Sequence, residues 1–138
     1  MKKIILSVFL AIFALSVFAQ KTSTEERPAV KATKTLVEKY QLTPVQEAKM
    51  LKIQTHKFNN IDQIASLETT NSEKYVQKMA ANARQTRFSI RMMLDKEQVK
   101  ILNKEELELR KKRSEIAQKM QKEGASKQDI QKALLPYE

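Results

Sequence analysis

Apolar residues recur at intervals of three and four along most of this chain, the spacing that places side chains on one face of an α-helix. The pattern breaks near residues 42, 70, 95 and 125, and each break holds residue types that begin or end helices. The first segment predicts a short helix over residues 30–40, which carries Leu36, Val37 and Tyr40. We therefore expect an all-α fold of four main helices and a short C-terminal helix.

A second helix is predicted to begin after Thr43 and to run to about Leu67. The Thr43 side chain can accept a hydrogen bond from a first-turn amide, Pro44 presets φ at the first helical position, and Gln46 can reach back to the cap. The apolar arc of this helix comprises Met50, Leu51, Ile53, Phe58, Ile61, Ile64 and Ala65, with Gln54 and Lys57 interrupting it.

A third helix is predicted from a capping box formed by the four residues Thr70-Asn71-Ser72-Glu73. This helix should end near Met93, before the next polar break. The stripe that we expect it to bury consists of Tyr75, Val76, Met79, Ala83, Ile90 and Met93.

Asp95 is predicted to cap a fourth helix that extends to about Glu123, with Glu97 and Gln98 in its first turn. Its seam contains Leu102, Leu109 and Ile116 at seven-residue intervals, Val99 and Met120 on complementary positions, and the interrupting Glu106 and Arg113. This partly apolar seam favours a partner helix and argues against a long independent coiled coil. Gly124 suits the helix end, and the last short helix is capped by Ser126 through Asp129 and stopped by Pro136.

The composition agrees with helices and offers no enzyme site. The chain contains one Gly and three Pro in 138 residues, no Cys, and His56 as its single histidine. A thiol nucleophile, a Cys/His metal centre and a glycine-rich phosphate loop are therefore excluded, and the acidic residues are scattered among lysines. We expect no catalytic activity, no metal and no cofactor.

The N-terminal residues predict export. Lys2 and Lys3 precede an almost wholly apolar stretch over residues 4–18, and Val17-Phe18-Ala19 provides a cleavage site after Ala19. We interpret residues 1–19 as a signal peptide that delivers the protein to the periplasm, residues 20–29 as a flexible leader, and residues 30–138 as one helical domain. The apolar stretch is shorter than the roughly 20 residues that a membrane span needs.

The formal net charge of +10 favours acidic partners. Nucleic acid is the least available of these after export, so we expect no nucleic-acid binding. Association with anionic lipid is an alternative, because basic helices can lie on membranes. Membrane association is nevertheless not expected, because the basic residues are distributed along several helices.

The third helix carries an unusual mixture of residues opposite its predicted buried stripe. Arg84, Phe88, Arg91 and Met92 share this side, and the nearby cationic or polar residues are Gln77, Lys78 and Arg87. Two interpretations stay open. In the first, another helix or a second subunit covers Phe88 and Met92. In the second, these two residues and the arginines form an adaptable binding surface.

Two helix starts also resemble a known family. Leu42-Thr43-Pro44-Val45-Gln46 matches the L-T-x-x-Q motif of the Spy/CpxP family of periplasmic stress proteins, and Leu94-Asp95-Lys96-Glu97-Gln98 is similar to a second copy with Asp95 in place of Thr. The resemblance covers roughly residues 30–123. It implies a thin, curved arrangement of helical hairpins, an antiparallel dimer, and binding of unfolded exported proteins on a basic, partly apolar face without ATP.

The leading hypothesis is therefore an ATP-independent periplasmic chaperone or envelope-stress protein that binds unfolded or partly folded exported proteins. The expected client-binding residues are Arg84, Arg87, Phe88, Arg91 and Met92. A homodimer is expected because four thinly packed helices leave apolar stripes that one chain of this size does not cover. The alternative is an interaction or regulatory protein that binds one folded partner, such as a sensor domain.

Overall fold

The computed structural model describes residues 26–138 and shows an all-α architecture, with no strand in that range. The predicted signal peptide and most of the predicted leader lie outside the described residues. The elements are α1 (Pro28–Tyr40), α2 (Pro44–Ile64), α3 (Leu67–Thr70), α4 (Ser72–Met93), α5 (Lys96–Lys122), α6 (Lys127–Leu134) and a final 3₁₀ turn (Leu135–Tyr137). Within the described range no helix has the length and apolar composition that crossing a membrane requires.

Two predicted helix starts are confirmed as complete capping boxes. At the start of α2 the Thr43 Oγ1 accepts from the Gln46 amide at 3.3 Å, and the Gln46 Oε1 accepts from the Thr43 amide at 3.0 Å. At the start of α5 the Asp95 Oδ1 accepts from the Gln98 amide at 2.8 Å, and the Gln98 Oε1 accepts from the Asp95 amide at 3.0 Å. Asp95 thus replaces Thr as the cap without loss of either bond.

The predicted start of α4 is wrong by one residue. Asn71 is the cap, because its Oδ1 accepts from the Lys74 amide at 3.0 Å. Thr70 instead ends α3, and its hydroxyl donates to the Ser66 carbonyl at 2.9 Å. The single-turn α3 was not predicted as a separate helix, and α2 ends at Ile64, earlier than expected.

The start of α1 depends on a proline, and the end of α5 depends on a glycine in the left-handed backbone conformation. Helix α1 begins at Pro28, two residues before the predicted start, because a proline at the first helical position needs no amide donor. Helix α5 ends at Lys122, one residue before the predicted end, and Gly124 follows its cap with a φ of 76°. There the Ala125 amide donates to the Met120 carbonyl at 3.0 Å, the pattern of a Schellman cap.

Helices α1 and α2 form an antiparallel hairpin, and α4 returns antiparallel to α2 on its other side. The antiparallel direction of α4 follows from contacts of Gln46 with Met93 and of Asn60 with Asn82. Helix α5 then turns back beside the C-terminal end of α4. The main apolar cluster lies where these four helices meet and contains Tyr40, Leu42, Met50, Ile90 and Leu102.

The C-terminal elements brace the opposite end of the molecule. Lys132 of α6 pairs with Glu68 of α3 at 3.4 Å, and Arg113 of α5 pairs with Glu138 at 3.2 Å. Leu134 and Leu135 lie beside the N-terminal half of α4, near Val76. Helix α4 is therefore contacted near both of its ends, by α2 and α5 at its C-terminal end and by the C-terminal leucines in its N-terminal half.

The predicted buried residues are confirmed only in part. Met50 and Ile64 of α2, Val76 and Ile90 of α4, and Leu102 of α5 are buried, while most other predicted positions are half-buried. Leu51 and Ala65 are exposed, contrary to prediction, whereas Gln54 is only 2% exposed. The reason is that α2 packs between two helices, so the side that it buries is not the side with the most apolar residues.

Candidate functional site

Phe88 and Met92 form the centre of the predicted binding surface and are open to solvent. They stand four residues apart in α4, so both point to the same side of the helix. Phe88 is 58% exposed and Met92 is 69% exposed. The interpretation in which another helix of this chain covers them is therefore wrong for the part of the chain that the structure describes. Exposed neighbours on this side are Gln77, Lys78 and Arg84, and we call these five residues the outer face of α4.

Two of the predicted surface arginines lie elsewhere. Arg91 is half-buried and turned toward α5, where its Nη2 donates to the Asn103 Oδ1 at 2.8 Å and to the Glu106 Oε2 at 2.9 Å. Arg87 is half-buried and lines a groove on the inner side of α4. Because consecutive helical residues point about 100° apart, Arg87 cannot share the direction of Phe88. The outer face is therefore less cationic than predicted.

A second exposed apolar residue lies at the same end of the molecule as Met92. Val45, in the first turn of α2, is 67% exposed. Its neighbour Gln46 donates through Nε2 to the carbonyl of Met93 at 3.2 Å, which brings the start of α2 to the end of α4. The exposed apolar side chains are thus concentrated near the joint between these helices.

The two motif glutamines meet directly in this joint. The Gln46 Nε2 donates to the Gln98 Oε1 at 2.7 Å, and the Gln98 Nε2 donates to the Gln46 Oε1 at 3.1 Å. Leu42 is buried in the apolar cluster and Leu94 packs against it. The two similar motifs therefore form one structure, in which each glutamine closes its own capping box and binds the other. The sequence predicted the caps, and the repeated glutamine was the available signal for the pairing.

A groove that the sequence did not predict lies between α1, α2, α4 and α5, with a volume of about 660 Å³. At one side the Tyr40 hydroxyl donates to the Glu105 Oε2 at 2.6 Å, and Lys39 pairs with the same carboxylate. Burial and then the bond to Glu105 raise the pKa of Tyr40 above its ordinary value. The charge of Arg87 acts on both Tyr40 and Lys57, and burial and then this charge lower the pKa of Lys57.

The fold and site define an all-α protein of helical hairpins with an exposed apolar outer face and a separate inner groove. Comparisons with protein-family models, with curated proteins and with solved structures found no match to this chain. Its function is therefore argued from its own residues.

Proposed function

We propose that this protein is an ATP-independent chaperone of the Spy/CpxP type, which holds unfolded exported polypeptides on the outer face of α4. The observation that carries the proposal is the exposure of Phe88 and Met92, with the exposed Arg84 one helical turn before Phe88. The paired glutamines Gln46 and Gln98 support the resemblance to that family, because they give the two motif copies one shared structural role.

The outer face has the physical properties of a weak, general binding surface. Full burial of an exposed Phe or Met side chain contributes about 1.5 to 3 kcal/mol. Because Phe88 is 58% and Met92 is 69% exposed, covering both contributes roughly 2 to 4 kcal/mol. Part of this is offset by the cost of ordering the client. The flexible Met92 adapts to different partners, and the exposed cations speed encounter with acidic segments. Weak binding suits a chaperone that releases clients without ATP.

Export and dimerisation belong to the same proposal. The signal peptide would deliver the chain to the periplasm, where ATP is not available. A second copy would place another outer face nearby and enlarge the binding surface, which agrees with the homodimer that the resemblance implies. Sedimentation of the purified chain at tens of micromolar, well above a micromolar dimer constant, tests the dimer directly.

The test measures light scattering of reduced α-lactalbumin with and without equimolar purified protein at low salt. The wild-type chain should suppress the aggregation, and Phe88→Ser with Met92→Gln should lose more than half of that suppression. Leu107→Ser is the matched control, because Leu107 is also exposed, at 52%, but lies on α5. Circular dichroism checks that the helices are retained.

Equal suppression by wild type and the double variant would contradict the assignment of the outer face. Absence of any suppression by the wild type would contradict a chaperone. If the protein instead forms one saturable complex with a folded sensor domain and leaves unfolded clients unaffected, the alternative function as a regulatory interaction protein is favoured.

A further inference from the structure

The inner groove combines an apolar wall with four basic and four acidic side chains, and Lys57 and Arg87 are the half-buried cations among them. Leu36 of α1, Ile90 of α4, and Leu102 and Leu109 of α5 line it. Its volume of about 660 Å³ falls within the range of about 300 to 1,000 Å³ that small-molecule sites occupy. The groove therefore has the size and the lining of a ligand site.

The carboxylates around the groove are already paired with cations. Glu105 holds Lys39 and the Tyr40 hydroxyl, so it has little capacity for a further partner. The other carboxylates of the groove form the ion pairs Arg91–Glu106, Arg110–Glu106, Lys111–Glu108 and Arg113–Glu138. Within residues 26–138, neither Lys57 nor Arg87 forms an ion pair, although both line the groove and both are half-buried.

Two neighbouring cations without a counter-ion are unfavourable in a partly buried wall. Each loses part of its hydration, and their like charges repel. The lowered pKa of Lys57, caused by burial and by Arg87, agrees with this arrangement. An anion placed between the two side chains would relieve both effects.

From this geometry we infer that the groove binds an amphipathic carboxylate, a long-chain fatty acid anion, with its head group at Lys57 and Arg87 and its chain along the apolar wall. The two cations match the charge of the head group, and the leucines match the chain. A peptide segment fits less well, because its backbone amides and carbonyls would find few partners on the apolar wall.

This site is independent of the proposed chaperone surface. Ile90 and Arg87 face the groove, whereas Phe88 points away from it on the outer face of α4. Failure of one proposal therefore leaves the other unchanged, and the two are tested by different measurements.

The experiment titrates dodecanoate, below its micelle concentration, into the full chain by calorimetry at low salt. Saturable binding of one molecule per chain is expected, and decanoate should bind roughly 15-fold more weakly because each buried methylene contributes about a fourfold factor. Uncharged dodecanol should bind at least about tenfold more weakly than dodecanoate, because it lacks the charge-assisted hydrogen bonds.

The variant Lys57→Gln with Arg87→Gln should weaken dodecanoate binding by about ten- to a hundredfold, the effect of losing hydrogen bonds to charged groups. Its control is Lys49→Gln with Lys74→Gln, which removes two exposed cations from the same two helices. The control should stay within about twofold of wild type, since exposed charges contribute little.

Thermal unfolding provides a second readout that is sensitive to folding. Dodecanoate should raise the melting temperature of the wild-type chain and of the control, because a ligand that binds only the folded state stabilises it. Dodecanoate should leave the melting temperature of the Lys57→Gln, Arg87→Gln variant nearly unchanged. Absence of saturable binding, equal affinity for dodecanol, or equal losses in variant and control would overturn the inference.

Discussion

The joint between the two motifs makes a quantitative prediction about coupling. Gln98 is only 7% exposed, and its side-chain amide is engaged by Gln46 and by the backbone amide of Asp95. Gln46 is bonded to Gln98, to the backbone amide of Thr43 and to the Met93 carbonyl. Replacement of either glutamine by Ala therefore removes a hydrogen bond of its own capping box and the two hydrogen bonds that join the glutamines to each other.

The magnitude follows from the bonds that each change removes. Each side-chain hydrogen bond makes a net contribution of about 1 kcal/mol. Gln98→Ala removes three such bonds and should lower the free energy of unfolding by roughly 3 kcal/mol, whereas Gln46→Ala removes four and should lower it by roughly 4 kcal/mol. The two bonds between the amides are lost in both single variants. The double variant removes five different bonds and should therefore lose about 5 kcal/mol, which is less than the sum of about 7 kcal/mol, so the coupling energy should be about 2 kcal/mol.

The assay is urea unfolding of the full chain at pH 7, followed by circular dichroism for wild type, both single variants and the double variant. Gln85→Ala serves as control, because Gln85 is an exposed glutamine of α4, and its effect should stay within about 0.5 kcal/mol. If the two single effects add to within about 0.5 kcal/mol, the glutamines do not stabilise the fold as a pair and the joint has been misinterpreted.

Two further predictions concern the apolar cluster and the groove. Tyr40→Phe should lower the free energy of unfolding by about 1.5 kcal/mol, because it removes a hydrogen bond to the Glu105 carboxylate. The pKa of Tyr40 is higher in the folded chain than its ordinary value of about 10, so this difference should be constant between about pH 7 and about pH 10 and should shrink as the pH rises further; a difference that grows in alkaline solution would contradict the assignment. Leu102→Ala should cost about 2 to 5 kcal/mol in urea unfolding, whereas Leu107→Ala, on the exposed side of the same helix, should change stability by no more than about 0.5 kcal/mol; similar losses would show that α5 does not pack as described.

The features that sequence predicted well are local ones. The cap at Thr43, the cap at Asp95 and the helix end at Gly124 each depend on atoms within a few residues, so the side-chain types and their spacing determine the result. Asn71 shows the limit of this approach. The capping box was predicted to begin at Thr70, but the separate turn α3 contains Thr70, so Asn71 is the cap of α4.

The features that sequence predicted poorly depend on contacts between helices. Gln54 interrupts the apolar arc of α2 and yet is more deeply buried than Leu51, because the neighbours of a helix determine which side is covered. Asn82 is similarly buried at 8% exposure, where its amide donates to the Lys57 carbonyl and its oxygen accepts from Asn60. Such polar contacts fix the pairing of α2 with α4 and leave no periodic signal in the sequence.

For the candidate site, one interpretation of the sequence predicted the exposure of the apolar residues, but the positions of the arginines were predicted only in part. Phe88 and Met92 are exposed as one interpretation required, whereas Arg91 pairs with Glu106 and Arg87 turns to the groove. The direction of Arg87 follows from helix geometry alone. The partner of Arg91 could not be predicted, because Glu106 belongs to a helix whose position depends on the turn at Asp95.

The inner groove exists because the apolar contacts of α4 are concentrated toward its two ends. Ile90 packs at the joint near Leu102, and Val76 lies beside the C-terminal leucines. Between them, the positions of α4 that face inward are occupied by Ala83, Thr86 and Arg87, which are too small or too polar to pack against α5. The same helix therefore cannot close its inner side and exposes Phe88 on its outer side, which is why α4 has an open groove on one side and exposed apolar residues on the other.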